Sequence, residues 1–213
     1  MQLHSYFRSS AAYRVRIALN LKQQPYSTVP VHLLKDGGEQ HAPAFAALNP
    51  EQLVPVLTDG DLMLTQSLAI LEYLEERFPE PPLLPRDIGQ RAQARSIALA
   101  IACDIHPLNN LRVLRYLKRT LSVSEEERDR WYRHWIALGF DALEQRLAGL
   151  AGGAFCVGDR PTFADICLVP QVFNARRIAL DMAAYPRITA IDSRCREIEA
   201  FAAAAPERQP DAA

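Results

Sequence analysis

The sequence predicts a small α/β unit followed by an all-helical one. Three observations carry this. Strand and helix patterns alternate over residues 1–80. Phe78 to Arg86 holds four prolines (Pro79, Pro81, Pro82, Pro85), and strand patterns vanish beyond them. Crowded prolines make a stiff boundary. The expected organisation is therefore a sheet-containing domain over 1–80, a proline-rich linker over 81–86 and a helical domain over 87–213.

Each element follows from its local pattern. Gln2 to Phe7 reads as a strand, and Ala11 to Lys22 as a helix with Val15, Ala18, Leu19 and Lys22 at i, i+3, i+4 and i+7. Tyr26 to His32 is a second strand, and Pro43 to Ala47 a short helix. Val54 to Leu57 and Leu62 to Leu64 flank Thr58-Asp59-Gly60-Asp61, a hairpin pattern. Gln66 to Arg77 is a helix with Leu68, Leu71 and Leu74 at helical spacing. The order β-α-β-α-β-β-α suggests a small mixed sheet covered by helices. Further on, Asp87 to Thr120 and Ser124 to Gly149 read as long helices, with a kink expected at Pro107. Thr162 and Asp165 have capping-box spacing before a helix running to about Leu180. Arg187 to Ala205 is the last helix.

Composition narrows the function. Hydrophobic residues make up 49% of 213, enough for a full core. Lys+Arg number 24 against Asp+Glu 25, a balance that argues against a nucleic-acid binder. No apolar run is long enough to span a bilayer. The opening strand lacks a basic region followed by an apolar one, so no signal peptide is expected. Cys103, Cys156, Cys167 and Cys195 are scattered without metal-ligand spacing. They are expected to be buried free thiols of a cytoplasmic protein that holds no metal.

The chemistry concentrates at two helix starts. Ser9 and Ser10 open the first helix, where free N–H groups and the positive dipole end suit an anion such as a bound thiolate. Arg8 precedes them and can offer a substrate carboxylate two parallel hydrogen bonds. Gln66-Ser67 opens the third helix; Ser67 is the expected N-cap and a second anion-binding position, with plain capping as the alternative. Val54-Pro55 leads into a strand. A cis bond there would leave Val54 free to pair with a peptide-like ligand; base frequencies favour trans. Arg14 and Arg16 are expected on solvated or domain-facing sides. His106, Asn109 and Asn110 cluster beside Pro107. Arg176 and Arg177 lie roughly 100° apart around their helix, so at most one enters a given cleft. No catalytic-triad order, phosphate loop or metal pattern appears.

Several of these segments together resemble a known family. They are Phe7-Arg8-Ser9-Ser10 with Tyr13 to Leu19, Leu48-Asn49-Pro50 to Val54-Pro55, Gln66-Ser67 to Leu74, Cys103 to Asn110, Phe163-Ala164-Asp165 to Val169-Pro170-Gln171, and Gln209-Pro210-Asp211. They resemble the zeta class of glutathione transferases, which includes bacterial maleylacetoacetate isomerases. The resemblance implies a thioredoxin-like domain followed by a helical bundle domain. It implies a homodimer and glutathione as cofactor, bound by Ser9, Ser10, Val54, Pro55, Gln66, Ser67, His106 and Asn110. Catalysis would fall to Ser9, Ser10 and Arg8, and substrate carboxylates to Arg8 and Arg177, with Arg176 as substitute. The implied reaction is conversion of maleylacetoacetate to fumarylacetoacetate, a step of tyrosine and phenylalanine catabolism. Maleylpyruvate isomerase, a transferase acting on halogenated acids and a non-catalytic binding module are the alternatives. Ala11 stands where the family often has cysteine, so no role for that thiol carries over.

Overall fold

The computed structural model describes residues 1–150 and 153–212. The chain divides into two compact units, Met1–Leu83 with Glu197–Ala213, and Leu84–Arg196.

The first unit is built on four strands, β1 (Gln2–Ser5), β2 (Ser27–Pro30), β3 (Val56–Asp59) and β4 (Leu62–Thr65), in the order β2-β1-β3-β4. β1 and β2 run parallel, joined by α1 (Ser10–Leu21); β3 runs antiparallel to both β1 and β4. Leu3 pairs with Leu57 and His4 with Val56. Leu3, Val56 and Leu57 are fully buried. The β3–β4 turn holds Gly60 at φ 59, a left-handed conformation that glycine adopts without a Cβ clash. The short helix α2 (Pro43–Leu48) has proline in its first turn, and α3 (Ser67–Arg77) follows β4. The expected element order holds.

Two expectations about α1 are corrected. Arg14 and Arg16, expected on solvated or domain-facing sides, are 2% and 0% exposed. Arg16 survives burial because carbonyls surround it: it donates to Ala204 O at 3.0 Å and Phe7 O at 3.0 Å, and to Ser5 Oγ at 3.1 Å. Burial lowers its pKa to about 10, so it stays charged at neutral pH. The second correction follows from the first. Residues 197–213 join the sheet unit instead of the helical one. Asn20 donates to Ala200 O at 3.0 Å, and Asp211 accepts from the Phe7 N–H at 2.9 Å. Lys22, the last residue of the apolar spacing, is also buried and pairs with Glu75 at 2.6 Å.

The helical unit holds α4 (Ile88–Leu99), α5 (Leu111–Arg119), α6 (Glu125–Gly149), α7 (Phe163–Arg177) and α8 (Pro186–Arg196). The expected continuous helix over Asp87 to Thr120 is interrupted. A π-helical turn at Ala100–Ile105 and a 3₁₀ turn at His106–Asn109 precede α5, which Asn110 caps by accepting from the Arg112 N–H at 3.0 Å. Pro107 lacks the N–H that a continuous α-helix would use. The expected last helix is likewise split, into α8 and α9 (Glu199–Ala204). Cys103 is exposed, against expectation, while Cys156, Cys167 and Cys195 are buried free thiols.

α7 is buried around most of its circumference and forms the centre of this unit. Its start is the predicted capping box. Thr162 Oγ1 accepts from Ala164 N at 3.2 Å, and Asp165 Oδ2 accepts from Thr162 N at 2.8 Å. Asp165 Oδ1 also accepts from Cys156 N at 2.8 Å. Replacing Thr162 by alanine removes the cap bond and the hydroxyl's donation to Asp165 Oδ2 at 2.9 Å from a buried helix start. It is expected to lower stability by about 0.5–2 kcal/mol, read by denaturant unfolding. No helix among the described residues is long and apolar enough to cross a membrane.

Candidate functional site

The sheet unit holds the two helix starts, and Arg14 of α1 reaches Ser67 at the start of α3. Ser9 has extended backbone dihedrals, φ −69 and ψ 116, which place it as the N-cap of α1. Its Oγ accepts from the Ala12 N–H at 3.2 Å. An oxygen used in that way retains its own O–H for donation elsewhere. Ser9 is half-buried and Ser10 is buried, so Ser9 is the more accessible hydroxyl. Arg8 is exposed. Its Nε and Nη2 donate to Tyr6 Oη at 3.3 and 2.9 Å, and the guanidinium lies 5.1 Å from the Phe7 ring centre. Among the described residues Arg8 has no carboxylate within ion-pair distance.

Gln66, not Ser67, is the N-cap of α3, a correction. Gln66 sits at φ 64 and its side chain is turned to Glu51, donating to Oε2 at 2.9 Å. Its side chain therefore gives no capping bond, and Ser67 becomes the first helical residue with its N–H among the orphan donors of the first turn. Behind it, buried Arg14 donates from Nη1 to Ser67 Oγ at 3.2 Å. A buried guanidinium behind a helix start adds to the positive character of that end. Arg14 is a residue that sequence reading missed. Its only local signal is a charged residue inside an apolar stretch. The Val54–Pro55 peptide is cis, against the base-frequency expectation. Among the described residues, neither the N–H nor the C=O of Val54 takes a hydrogen bond, which suits a peptide-like ligand lying alongside.

In the helical unit the two adjacent arginines separate. Arg176 Nη1 pairs with Asp192 Oδ2 at 2.5 Å, and Arg196 Nε bonds the same carboxylate at 3.2 and 3.0 Å. Asp192 is fully buried, so two guanidinium groups offset its charge. Arg176, the expected substitute for Arg177, is thus already paired with a carboxylate. Arg177 is exposed and bonds Tyr132 Oη at 3.2 Å. His106 is half-buried in the 3₁₀ turn, and Asn110 commits its side-chain oxygen to the α5 cap.

Two of the buried thiols, Cys156 and Cys195, are held protonated. Burial and nearby Asp165 push the Cys156 thiol well up, and burial pushes Cys195 up as well. Thiol chemistry at Ser9 would use a thiol brought by a ligand. Among the described residues no group of three or more His, Cys, Asp or Glu side chains could hold a metal ion.

Residues 3–82 match the family "Glutathione S-transferase, N-terminal domain", and residues 125–191 match "Glutathione S-transferase, C-terminal domain". The chain belongs to the glutathione transferase family. The transferase is 57% identical over 210 residues to a probable maleylacetoacetate isomerase of Vibrio cholerae, covering 99% of this chain and 97% of that one. It is 49% identical to a maleylpyruvate isomerase of a Ralstonia species over the whole of both chains. Among solved structures it superposes with a TM-score of 0.97 on the holo structure of a maleylpyruvate isomerase described as a zeta-class bacterial glutathione transferase, at 48% identity and full coverage of both chains. It superposes at 0.96 on a maleylacetoacetate isomerase of Methylobacterium extorquens AM1 with bound malonate and glutathione, at 44% identity and full coverage of both chains. The transferase thus has the thioredoxin-like and helical domains that the resemblance implied.

Proposed function

We propose that this transferase is a glutathione-dependent cis–trans isomerase that converts maleylacetoacetate to fumarylacetoacetate in the cytoplasm, as a homodimer, within tyrosine and phenylalanine breakdown. The observation that carries the reading is Ser9. Its oxygen is fixed by the α1 cap while its proton remains available to an anion. The relatives named maleylacetoacetate isomerase support the choice of substrate.

Glutathione would lie along the open main chain of Val54 beside Pro55. Its γ-glutamyl end would meet Gln66 and the first N–H groups of α3, with Arg14 behind Ser67. Its thiol would meet Ser9, with Ser10 beside it, and His106 and Asn110 would be its contacts in the helical domain. When bound, it supplies a thiolate that adds to the cis double bond, allows rotation about the resulting single bond and leaves as the trans bond forms. The protein's part is electrostatic. Holding the thiol one pH unit below its free value needs about 1.4 kcal/mol of preference for the anion. One hydroxyl donor and a helix N-terminus together suffice. Arg8 and Arg177 carry no competing carboxylate and would hold the substrate's carboxylates, fixing the double bond and stabilising negative charge developing on the neighbouring carbonyl oxygen.

A second substrate, maleylpyruvate, is favoured by the Ralstonia relative and by the solved structure at a TM-score of 0.97. The two substrates differ by a short acyl group, which a pocket separates weakly. Assaying both with and without glutathione decides. Glutathione-dependent turnover of maleylacetoacetate in preference supports the proposal; preference for maleylpyruvate replaces the substrate. No turnover of either overturns the isomerase reading and leaves a transferase acting on halogenated acids or a binding module.

A further inference from the structure

We infer that Tyr132 is a positioning residue that aims the Arg177 guanidinium at a carboxylate of the substrate. The inference rests on the isomerase reading for the identity of that substrate.

Two arginines stand side by side at the end of α7. Arg176 and Arg177 are the same residue type, one position apart, yet they are held in opposite ways. Arg176 is anchored by the fully buried carboxylate of Asp192. A guanidinium so paired has little net attraction left for another anion. Arg177 has no such partner among the described residues. It is held instead by Tyr132, which accepts from Nη2 at 3.2 Å and lies with its ring centre 5.7 Å from the guanidinium carbon. A phenolic oxygen and a ring face orient a cation without cancelling its charge. The remaining N–H groups of Arg177 stay available for the two parallel bonds that a carboxylate takes.

The support is itself rigid. Tyr132 is 5% exposed on α6, so its ring has little freedom to follow a moving arginine. The next residue, Arg133, donates from Nη1 to Ile178 O at 3.4 Å, tying α6 to the end of α7 beside Arg177. The same device appears at Arg8 in the sheet unit. There Tyr6 Oη accepts from two guanidinium nitrogens, and no carboxylate intervenes. Elsewhere, exposed Arg130, Arg187 and Arg208 and half-buried Arg128 pair with carboxylates. Both Arg8 and Arg177, which the functional reading assigns to substrate, are held by a tyrosine hydroxyl. Sequence spacing could not have paired Tyr132 with Arg177, which lie 45 residues apart.

The test is a double-mutant cycle on the full-length enzyme. Malonate binding to the glutathione-saturated protein is measured by calorimetry for wild type, Tyr132→Phe, Arg177→Ala and the double variant. KM and kcat are measured on both cis substrates. Phenylalanine keeps the ring and removes only the hydroxyl, so the core packing is preserved. Tyr132→Phe is expected to weaken malonate about tenfold, the scale of one hydrogen bond to a charged group, and to raise substrate KM more than it lowers kcat. In the Arg177→Ala background the same change should have no further effect. Unchanged malonate affinity in Tyr132→Phe overturns the inference. So does a tenfold loss that persists in the Arg177→Ala background, because Tyr132 would then act without Arg177. Coupling in malonate binding with no turnover of either cis substrate would sink the isomerase reading while upholding the role of Tyr132.

Discussion

Replacing Ser9 by alanine is expected to lower kcat by roughly a hundredfold or more while leaving the KM for glutathione nearly unchanged. The size is that of removing one preorganised donor from a developing or resident anion. The split follows from the geometry. Most of what would hold glutathione lies at Val54, Gln66, Ser67 and Arg14, away from Ser9, so ground-state binding survives. What is lost is the O–H that the cap geometry leaves free. A pH–rate profile should shift alkaline in the same variant, because without the donor the bound thiol ionises later. The substitution also removes the α1 cap, worth about 0.5–2 kcal/mol, so rates are to be compared well below the unfolding midpoint. An unchanged kcat would remove Ser9 from the chemistry. Ser10, the other hydroxyl at this helix start, would be the next to replace.

The largest expected stability effect is at Glu75. Lys22 is fully buried, and its ammonium is held by Glu75 Oε2 and Phe78 O, both at 2.6 Å. The same carboxylate oxygen accepts from the Leu83 N–H at 2.9 Å. One side chain thus joins the end of α1, the body of α3 and the chain leaving the sheet unit. Glu75→Ala would leave a buried ammonium without its counter-charge and a buried N–H without its acceptor. About 3–5 kcal/mol of destabilisation is expected, the usual result of removing one partner from a buried pair. Thermal unfolding should show it as a midpoint lower by roughly 10 °C for a chain of this size. The double change Lys22→Met with Glu75→Leu should recover much of the loss, since apolar residues carry no desolvation penalty. A midpoint within a degree of wild type for Glu75→Ala would show that the pair is solvated in solution.

Burial of charge is where sequence reading and structure part company. The apolar periodicity of α1 picks out Val15, Ala18, Leu19 and Lys22, and all four are buried. The same periodicity cannot show that Arg14 and Arg16 are buried too, because their partners come from elsewhere: Ser67 for Arg14, and Ser5, Phe7 and Ala204 for Arg16. A charged residue in an apolar stretch reads as solvated until an acceptor is placed against it. Gln66 is a related case. Ser67 has the chemistry of a cap, but the left-handed backbone at Gln66 starts the helix one residue earlier, and its side chain turns to Glu51.

What the sequence determined by itself is local. The order of strands and helices, the Gly60 turn, the hydroxyl pair at the start of α1 and the Thr162–Asp165 box each depend on residues within a few positions of one another. Only the tertiary structure decided which charges are neutralised and which are left for a ligand. Arg176 and Arg177 are indistinguishable by type and adjacent in the chain. One meets Asp192, 16 residues away, and the other Tyr132, 45 residues away. A helix dictates that neighbouring side chains point in different directions, but what each direction holds is set by the packing of other helices.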